Sequence, residues 1–265
     1  EHAGNYMNFT GPLEFSIVPE YKSNEMLKSR VDEFREDIRD GVVTGDDYHK
    51  FFRSLSPYLV IEKPSFWSSL QFLFQYQIGY MYWRYFMWNF TGRQNDIAGT
   101  YNVLNGNWIS GIPFIDNLRL GNQSEISDDA RNNKARNTYF FLPFLLGLMG
   151  LIFVYQQDPK RFWVLLLFFL FTGLALKIYL NERPFEPRER DYALVGSFYV
   201  FALWIGLGAF YLSQKTKTWI KSKAIAPTVV AVCLMAVPVL MAFQNWDDHD
   251  RSGRYTAQSM AKSYL

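Results

Sequence analysis

Hydrophobic and polar positions divide the chain into two regions of different character. Residues 1–138 are mostly polar and charged, whereas residues 139–243 consist largely of long apolar runs. A transmembrane helix needs about 20 mostly apolar residues, within a range of about 17 to 25, and several runs satisfy this criterion. The pattern therefore predicts an all-α, polytopic membrane bundle of about four transmembrane helices, at residues 139–155, 162–180, 192–212 and 224–243.

The loops between these runs are short, which argues against buried helices of a large soluble protein. The loop at residues 213–223 carries four lysines and no acidic residue, and such loops favour the cytoplasmic side. The loop at residues 181–191 and both chain ends are then expected on the opposite side. Aromatic residues mark several ends of the runs, as side chains of an interfacial belt do: Tyr139, Tyr155, Trp163, Tyr179, Tyr192, Tyr211 and Trp246.

The polar region has the periodicity of two amphipathic helices. Residues 24–40 place apolar side chains on one face, and Gly41 supplies a stop signal. Residues 46–55 repeat the pattern before Pro57. We therefore expect an extramembrane helical segment over residues 1–64. The apolar faces consist of Leu27, Val31, Phe34 and Ile38 in the first helix, and of Tyr48, Phe51, Phe52 and Leu55 in the second.

Aromatic side chains crowd residues 65–90. An uncharged stretch at residues 64–83 is long enough to cross a bilayer, but its serines and glutamines are costly in hydrocarbon, and this aromatic density suits the headgroup layer. The pattern predicts an interfacial or re-entrant helix, with a fifth span as the alternative, and places Arg84 at headgroups or a lipid phosphate. Residues 92–120, rich in Gly and Asn, are predicted to form a loop, so residues 65–138 make up one external region.

Composition limits the classes of function. The net charge of +2 gives no reason to expect nucleic-acid binding. The single cysteine, Cys233, excludes a disulfide within the chain and a cysteine metal site. Because the chain begins at Glu1 and ends after an amphiphilic stretch, we expect it to be an internal segment of a longer protein.

The densest charge lies at residues 181–192, between the second and third predicted spans. Arg183, Arg188 and Arg190 carry guanidinium groups that can bind a phosphate in bidentate fashion. Arg84 and Lys177 are weaker candidates for the same role. The alternative for the loop is that it is charged only for solubility. For Lys177 the alternative is snorkelling to the headgroups, and for this residue we prefer it. The carboxylates expected to hold the arginines in place are Glu182, Glu186, Glu189 and Asp191.

A second charged cluster follows the last predicted span, within an external C-terminal region at residues 244–265. Its three carboxylates and one imidazole are ligands that a divalent ion accepts. Adjacent residues rarely converge on one ion, however, so we prefer a solvated acidic segment and predict no metal site. The residues of this weak candidate are Asp247, Asp248, His249 and Asp250.

Several motifs resemble a large family of bacterial polytopic membrane proteins related to protein O-mannosyltransferases. They cover the chain from about residue 60 onward. They are MYWRYFMWNF at residues 81–90 with GRQND at 92–96, NWISG at 107–111, PRERDY at 187–192 and NWDDHDRS at 245–252.

This resemblance implies a glycosyltransferase of the GT-C class, which transfers a sugar from a polyprenyl-phosphate donor to an acceptor protein on the extracytoplasmic side. It implies a multi-pass protein of the bacterial inner membrane with periplasmic polar segments, whose partners are membrane lipid, the lipid-linked sugar and the acceptor. No cofactor beyond the donor is expected. The family's catalytic carboxylate lies in an early external loop and matches no residue here, so we expect this segment to be inactive alone. A non-catalytic scaffold or a transporter component is the alternative.

Overall fold

The computed structural model describes residues 14–62, 64–99, 101–182, 191–249, 252–253 and 255–264. Helices dominate it, and three of the described helices are long and apolar enough to cross a membrane. The predicted all-α, polytopic class is therefore confirmed. The chain divides into two units: unit 1 comprises Glu1–Trp83 and Leu174–Glu189, and unit 2 comprises Arg84–Gly173 and Arg190–Leu265.

The N-terminal part of unit 1 is a small helical module. Strand β1 (Phe15–Ile17) pairs antiparallel with β2 (Leu59–Ile61), and the helices α1 (Glu25–Asp40) and α2 (Gly45–Leu55) lie between them in the chain. Both predicted helices are confirmed. The helix α1 ends at Gly41, whose φ of 73° is the left-handed conformation that glycine adopts without steric cost.

The module is held together by an aromatic core. The rings of Phe34 and Phe51 stack with centroids 3.7 Å apart, and Phe15 meets Phe51 edge to face. Val31 is completely buried beside them. Burial of such side chains is the main favourable term in folding. The buried members of the core are Phe15, Leu27, Val31, Phe34, Tyr48, Phe51, Leu55 and Leu59.

Residues 66–90 form one continuous helix, α3, in which two α-helical segments flank a π-helical segment at Phe72–Arg84. The boundary between the two units falls within this helix. The helix α3 is not among the described helices that satisfy the length and hydropathy required of a span. The interfacial or re-entrant placement of α3 stays a prediction.

Residues 92–138 are not a continuous loop. Strand β3 (Gly92–Arg93) pairs antiparallel with β4 (Asn137–Thr138), and the helices α4 (Pro113–Leu120) and α5 (Asp128–Arg131) lie between them in the chain. The prediction of a loop over residues 92–120 was wrong for its last eight residues, which form α4. This helix begins with a proline in its first turn, where proline needs no N–H donor.

The helix α4 is fixed by a buried carboxylate. Asp116 accepts hydrogen bonds from the N–H and Oγ of Ser110 at 2.8 and 3.0 Å, and from the N–H of Gly111 at 2.7 Å. Its side chain thus ties the start of α4 to the preceding turn. This tertiary arrangement is the reason that turn composition alone did not reveal the helix.

The apolar half contains α6 (Leu142–Gln157), α7 (Pro159–Leu180), α8 (Asp191–Trp219) and α9 (residues 225–249), and a short α10 (Thr256–Ser263) follows. The helices α7, α8 and α9 each contain a candidate span, whereas α6 does not. The 16 residues of α6 extend over only about 24 Å, which is less than the roughly 30 Å hydrocarbon core. The predicted span at residues 139–155 is therefore a shorter apolar helix.

The helices α6 and α8 run in the same direction. Phe144 lies near Phe201 with ring centroids 6.2 Å apart, and Phe153 lies near Phe210 with centroids 5.7 Å apart. The contacts therefore advance together along the two helices. This is the arrangement expected when α7 is the return helix between them.

Glycines allow the backbones of α6 and α8 to approach closely. A Cβ added to Gly150 would lie 1.8 Å from the carbonyl oxygen of Trp204, and one added to Gly208 would lie 1.9 Å from that of Leu146. Lipid chains are as apolar as leucine, so membrane helices associate through close van der Waals packing at small residues. The two glycines fit this mode of packing.

Candidate functional site

Lys177 lies inside unit 1 and pairs with Glu182. Lys177 Nζ and Glu182 Oε2 are 2.5 Å apart, and the two side chains are 1% and 3% exposed. The prediction that Lys177 snorkels to the headgroups was wrong. The helix α7 ends at Leu180, and Asn181 adopts a left-handed conformation with φ of 40°, so the chain turns back and brings Glu182 to Lys177.

Two side chains of α3 hold the same turn. Tyr76 Oη donates to the carbonyl oxygen of Glu182 at 3.2 Å, and Gln77 Nε2 donates to Asn181 Oδ1 at 2.8 Å. Tyr76 itself is 1% exposed. Residues 181 and 182 begin the charged segment that the sequence predicts as a loop at residues 181–191, hereafter the charged loop. They are thus anchored within unit 1. Sequence reasoning missed both anchors, because Tyr76 and Gln77 lie more than 100 positions away in the chain.

Most of the residues predicted to bind phosphate, and of the carboxylates predicted to hold them in place, lie outside the described part of the chain. This applies to Arg183, Glu186, Arg188, Glu189 and Arg190. Asp191 begins α8, and its side chain is also outside the description. The role of these residues stays a prediction. The structure shows that residues 181 and 182, which precede them in the chain, are anchored.

Arg84 is buried in unit 2 and does not reach a surface. Its Nη1 donates to the carbonyl oxygen of Gly106 at 2.5 Å. The N–H of Gly106 in turn donates to Asn95 Oδ1 at 3.0 Å. The expectation that Arg84 faces headgroups or a lipid phosphate was therefore wrong, because its buried guanidinium group contacts the backbone of Gly106.

The acidic cluster after the last span lies at the end of α9. Asp247, Asp248 and His249 belong to its final turn, and Asp250 is outside the described residues. The side chains of Asp247, Asp248 and His249 lie outside the described part of the chain as well. Among the residues that the structure describes, no group of three or more His, Cys, Asp or Glu side chains is placed to hold a metal ion.

Unit 2 contains a cavity of about 830 Å³ that sequence reasoning did not predict. One wall is the segment from the end of α5 to β4, and the other is the last part of α9. The first wall is polar and basic, whereas the second is mostly apolar. The basic residues are Arg131, Lys134 and Arg136, and the apolar ones are Val239, Ala242, Phe243 and Trp246.

Hydrogen bonds join the two walls of this cavity. Gln244 of α9 accepts from the N–H of Thr138 at 2.7 Å and donates to its carbonyl oxygen at 3.0 Å. The next residue, Asn245, donates to Tyr139 Oη at 2.7 Å and accepts from Arg93 Nη2 at 2.8 Å. The cavity is therefore formed by secondary structure elements that are already fixed to one another.

The cations of the basic wall are not held in ion pairs among the described residues. Within the described part of the chain, Arg131, Lys134 and Arg136 form no ion pair with a carboxylate. Burial lowers the pKa of Arg136, and the nearby Asp116 opposes this change. Arginine nevertheless stays protonated at neutral pH, because its ordinary pKa is so high. The wall can therefore attract an anion.

Comparison with known proteins assigns no family or function to this chain. No family model, no curated protein and no solved structure matches the chain. The fold defines the class as a multi-pass helical membrane protein, and any narrower function has to be argued from its residues.

Proposed function

We propose that this chain is the membrane-embedded part of a glycosyltransferase that transfers a sugar from a polyprenyl-phosphate donor to a protein hydroxyl. The reaction takes place on the extracytoplasmic side of a bacterial inner membrane. The motifs at residues 81–96, 107–111, 187–192 and 245–252 support this function through their resemblance to relatives of protein O-mannosyltransferases.

The observation that carries the proposal is the anchored start of the charged loop. The buried pair between Lys177 and Glu182, together with the hydrogen bonds from Tyr76 and Gln77, fixes residues 181–182 at the end of a helix long enough to span a membrane. Arg183 follows directly in the chain. A loop that begins at a fixed point is suited to holding charged groups near lipid headgroups.

The chemistry needs such groups. Attack of the acceptor oxygen on the anomeric carbon forms the new glycosidic bond, while the bond from that carbon to the phosphate oxygen breaks and its electron pair leaves with the phosphate. A general base outside this chain takes the acceptor proton. Arg183, Arg188 and Arg190 stabilise the negative charge that develops on the leaving phosphate.

The proposal is tested by sugar transfer with the full-length protein, a labelled polyprenyl-phosphate sugar and an acceptor peptide. We expect the double substitution Arg188→Ala and Arg190→Ala to lower kcat/KM at least about tenfold, since a hydrogen bond to a charged group contributes about 1.5–3 kcal/mol. The matched control is Arg30→Ala with Arg39→Ala, two exposed arginines of α1. Unchanged transfer by the Arg188 and Arg190 variant contradicts phosphate binding by these arginines. Absence of transfer by the unsubstituted protein contradicts the proposed transferase activity.

A further inference from the structure

We propose that the cavity between residues 131–137 and the end of α9 binds the phosphate headgroup of an anionic membrane phospholipid. The proposal does not depend on glycosyl transfer, because the cavity shares no residue with the charged loop. It rests on the charge of one wall, the apolar character of the other, and the bonds that join them.

The charge of the basic wall fits a phosphate. Arg131 and Arg136 each use one Nη2 atom on a neutral oxygen, at 2.6 Å to Ser124 O and 3.0 Å to Gln123 Oε1. These bonds orient the guanidinium groups without neutralising them. Arginine binds phosphate oxygens through paired N–H donors, and lysine adds a point charge. The carboxylates of Asp128 and Asp129 are near in sequence, but neither forms an ion pair with these cations in the described residues.

The apolar wall distinguishes a lipid from a soluble anion. Phe243 and Trp246 are 81% and 74% exposed, and both belong to a helix long and apolar enough to span a membrane. Trp and other aromatic side chains favour the depth at which headgroups meet hydrocarbon chains. A ligand that satisfies both walls carries its phosphate and its apolar chains next to each other, as a phospholipid does.

The size and rigidity of the cavity agree with such a ligand. A volume of about 830 Å³ is far larger than one phosphate requires and lies within the roughly 300–1,000 Å³ of typical ligand sites. The paired hydrogen bonds between Gln244 and Thr138 keep the walls together. Binding therefore needs little rearrangement, which lowers its entropic cost.

The test is lipid retention by the purified full chain, measured by native mass spectrometry after titration with phosphatidylglycerol or phosphatidylcholine in mixed micelles. Neither sugar nor acceptor is present, so the outcome is independent of the proposed transferase activity. We expect phosphatidylglycerol to be retained over phosphatidylcholine. The substitution of two exposed cations, Arg131→Ala with Lys134→Ala, should weaken its binding about tenfold or more.

The matched control removes the same charge at the opposite end of the last span. Lys217→Ala with Lys221→Ala changes the lysine loop predicted at residues 213–223, which the structure forms from the end of α8 and the residues before α9, and we expect phosphatidylglycerol retention to stay within about twofold of the unsubstituted chain. A separate variant, Phe243→Ala, keeps the basic wall intact and should weaken phosphatidylglycerol binding while leaving competition by inorganic phosphate unchanged. Because Phe243 is exposed, this substitution does not disturb the core.

Four outcomes overturn the proposal. The first is equal retention of the two phospholipids, and the second is an equal loss of binding in the cavity variant and the lysine-loop variant. The third is displacement of the lipid by inorganic phosphate together with no effect of Phe243→Ala, because such a site binds the free ion. The fourth is polyprenyl phosphate binding about tenfold tighter than phosphatidylglycerol, which assigns the cavity to a different lipid.

Discussion

Charged side chains occupy two contrasting regions of this molecule. In unit 1, Lys177 and Glu182 are buried and neutralise each other, and they fix a turn. In unit 2, the cations of the basic wall of the cavity form no ion pair with a carboxylate in the described residues. A buried charge is tolerated only when it is paired, whereas a charge at an open cavity remains available to a ligand. The difference separates charge that supports the fold from charge that can bind.

The largest expected effect comes from breaking the buried pair. Glu182→Met leaves the Lys177 ammonium group without its partner, and breaking a buried pair in this way costs about 3–5 kcal/mol of stability. The measurement is reversible unfolding of the full chain in detergent micelles. The double variant Lys177→Met with Glu182→Met should be more stable than the single variant, because no uncompensated charge remains. A single variant as stable as the unsubstituted chain contradicts the structural role of the pair.

A smaller effect is expected at the buried carboxylate of Asp116. Asp116→Ala leaves the N–H groups of Ser110 and Gly111 without their acceptor, at a cost of about 1–3 kcal/mol. Hydrogen exchange should become faster in α4 and in the turn before it. The control is Asp129→Ala, an exposed carboxylate for which we expect a change within about 0.5 kcal/mol. Equal hydrogen exchange in the two variants would show that Asp116 stabilises α4 no more than an exposed carboxylate does.

The smallest expected effect concerns an exposed carboxylate. Asp47 accepts from the N–H and Oγ of Thr44 at the start of α2, and these hydrogen bonds lower the pKa of its carboxyl group. A lowered pKa in the folded state means that the contribution is present near neutral pH and is lost as the pH falls below about 4. Hydrogen exchange in α2 should therefore accelerate in acid relative to α1. The variant Asp47→Asn should abolish that difference, and an unchanged difference would exclude Asp47 as its source.

The periodicity of the sequence predicted the amphipathic helices of the N-terminal module and the long apolar helices, but not the short elements α4, α5 and β1 to β4. The apolar face at Leu27, Val31 and Phe34 became the core of the N-terminal module, and Gly41 ends α1 as predicted. The apolar runs became helices because backbone hydrogen bonding within a helix needs no distant partner. The run at residues 139–155 was expected to span, but its helix begins only at Leu142 and is too short.

Charge in the sequence could not show which groups would meet. Lys177 was expected at the headgroups and Arg84 at headgroups or a lipid phosphate. In the structure Lys177 pairs with Glu182, and Arg84 donates to the backbone of Gly106. The sequence could not show the cavity for the same reason, because its basic residues precede β4 and its apolar residues come about 100 positions later. No local pattern connects segments so far apart.

The sequence alone therefore determined the amphipathic helices, the long apolar helices and the membrane class, since these depend on side chains spaced within a few turns of one another. The tertiary structure decided which charges are neutralised in the interior, how closely α6 approaches α8 at Gly150, and that a basic wall faces an apolar one across a cavity. These features depend on contacts between residues distant in the chain, and packing in three dimensions is what brings such residues together.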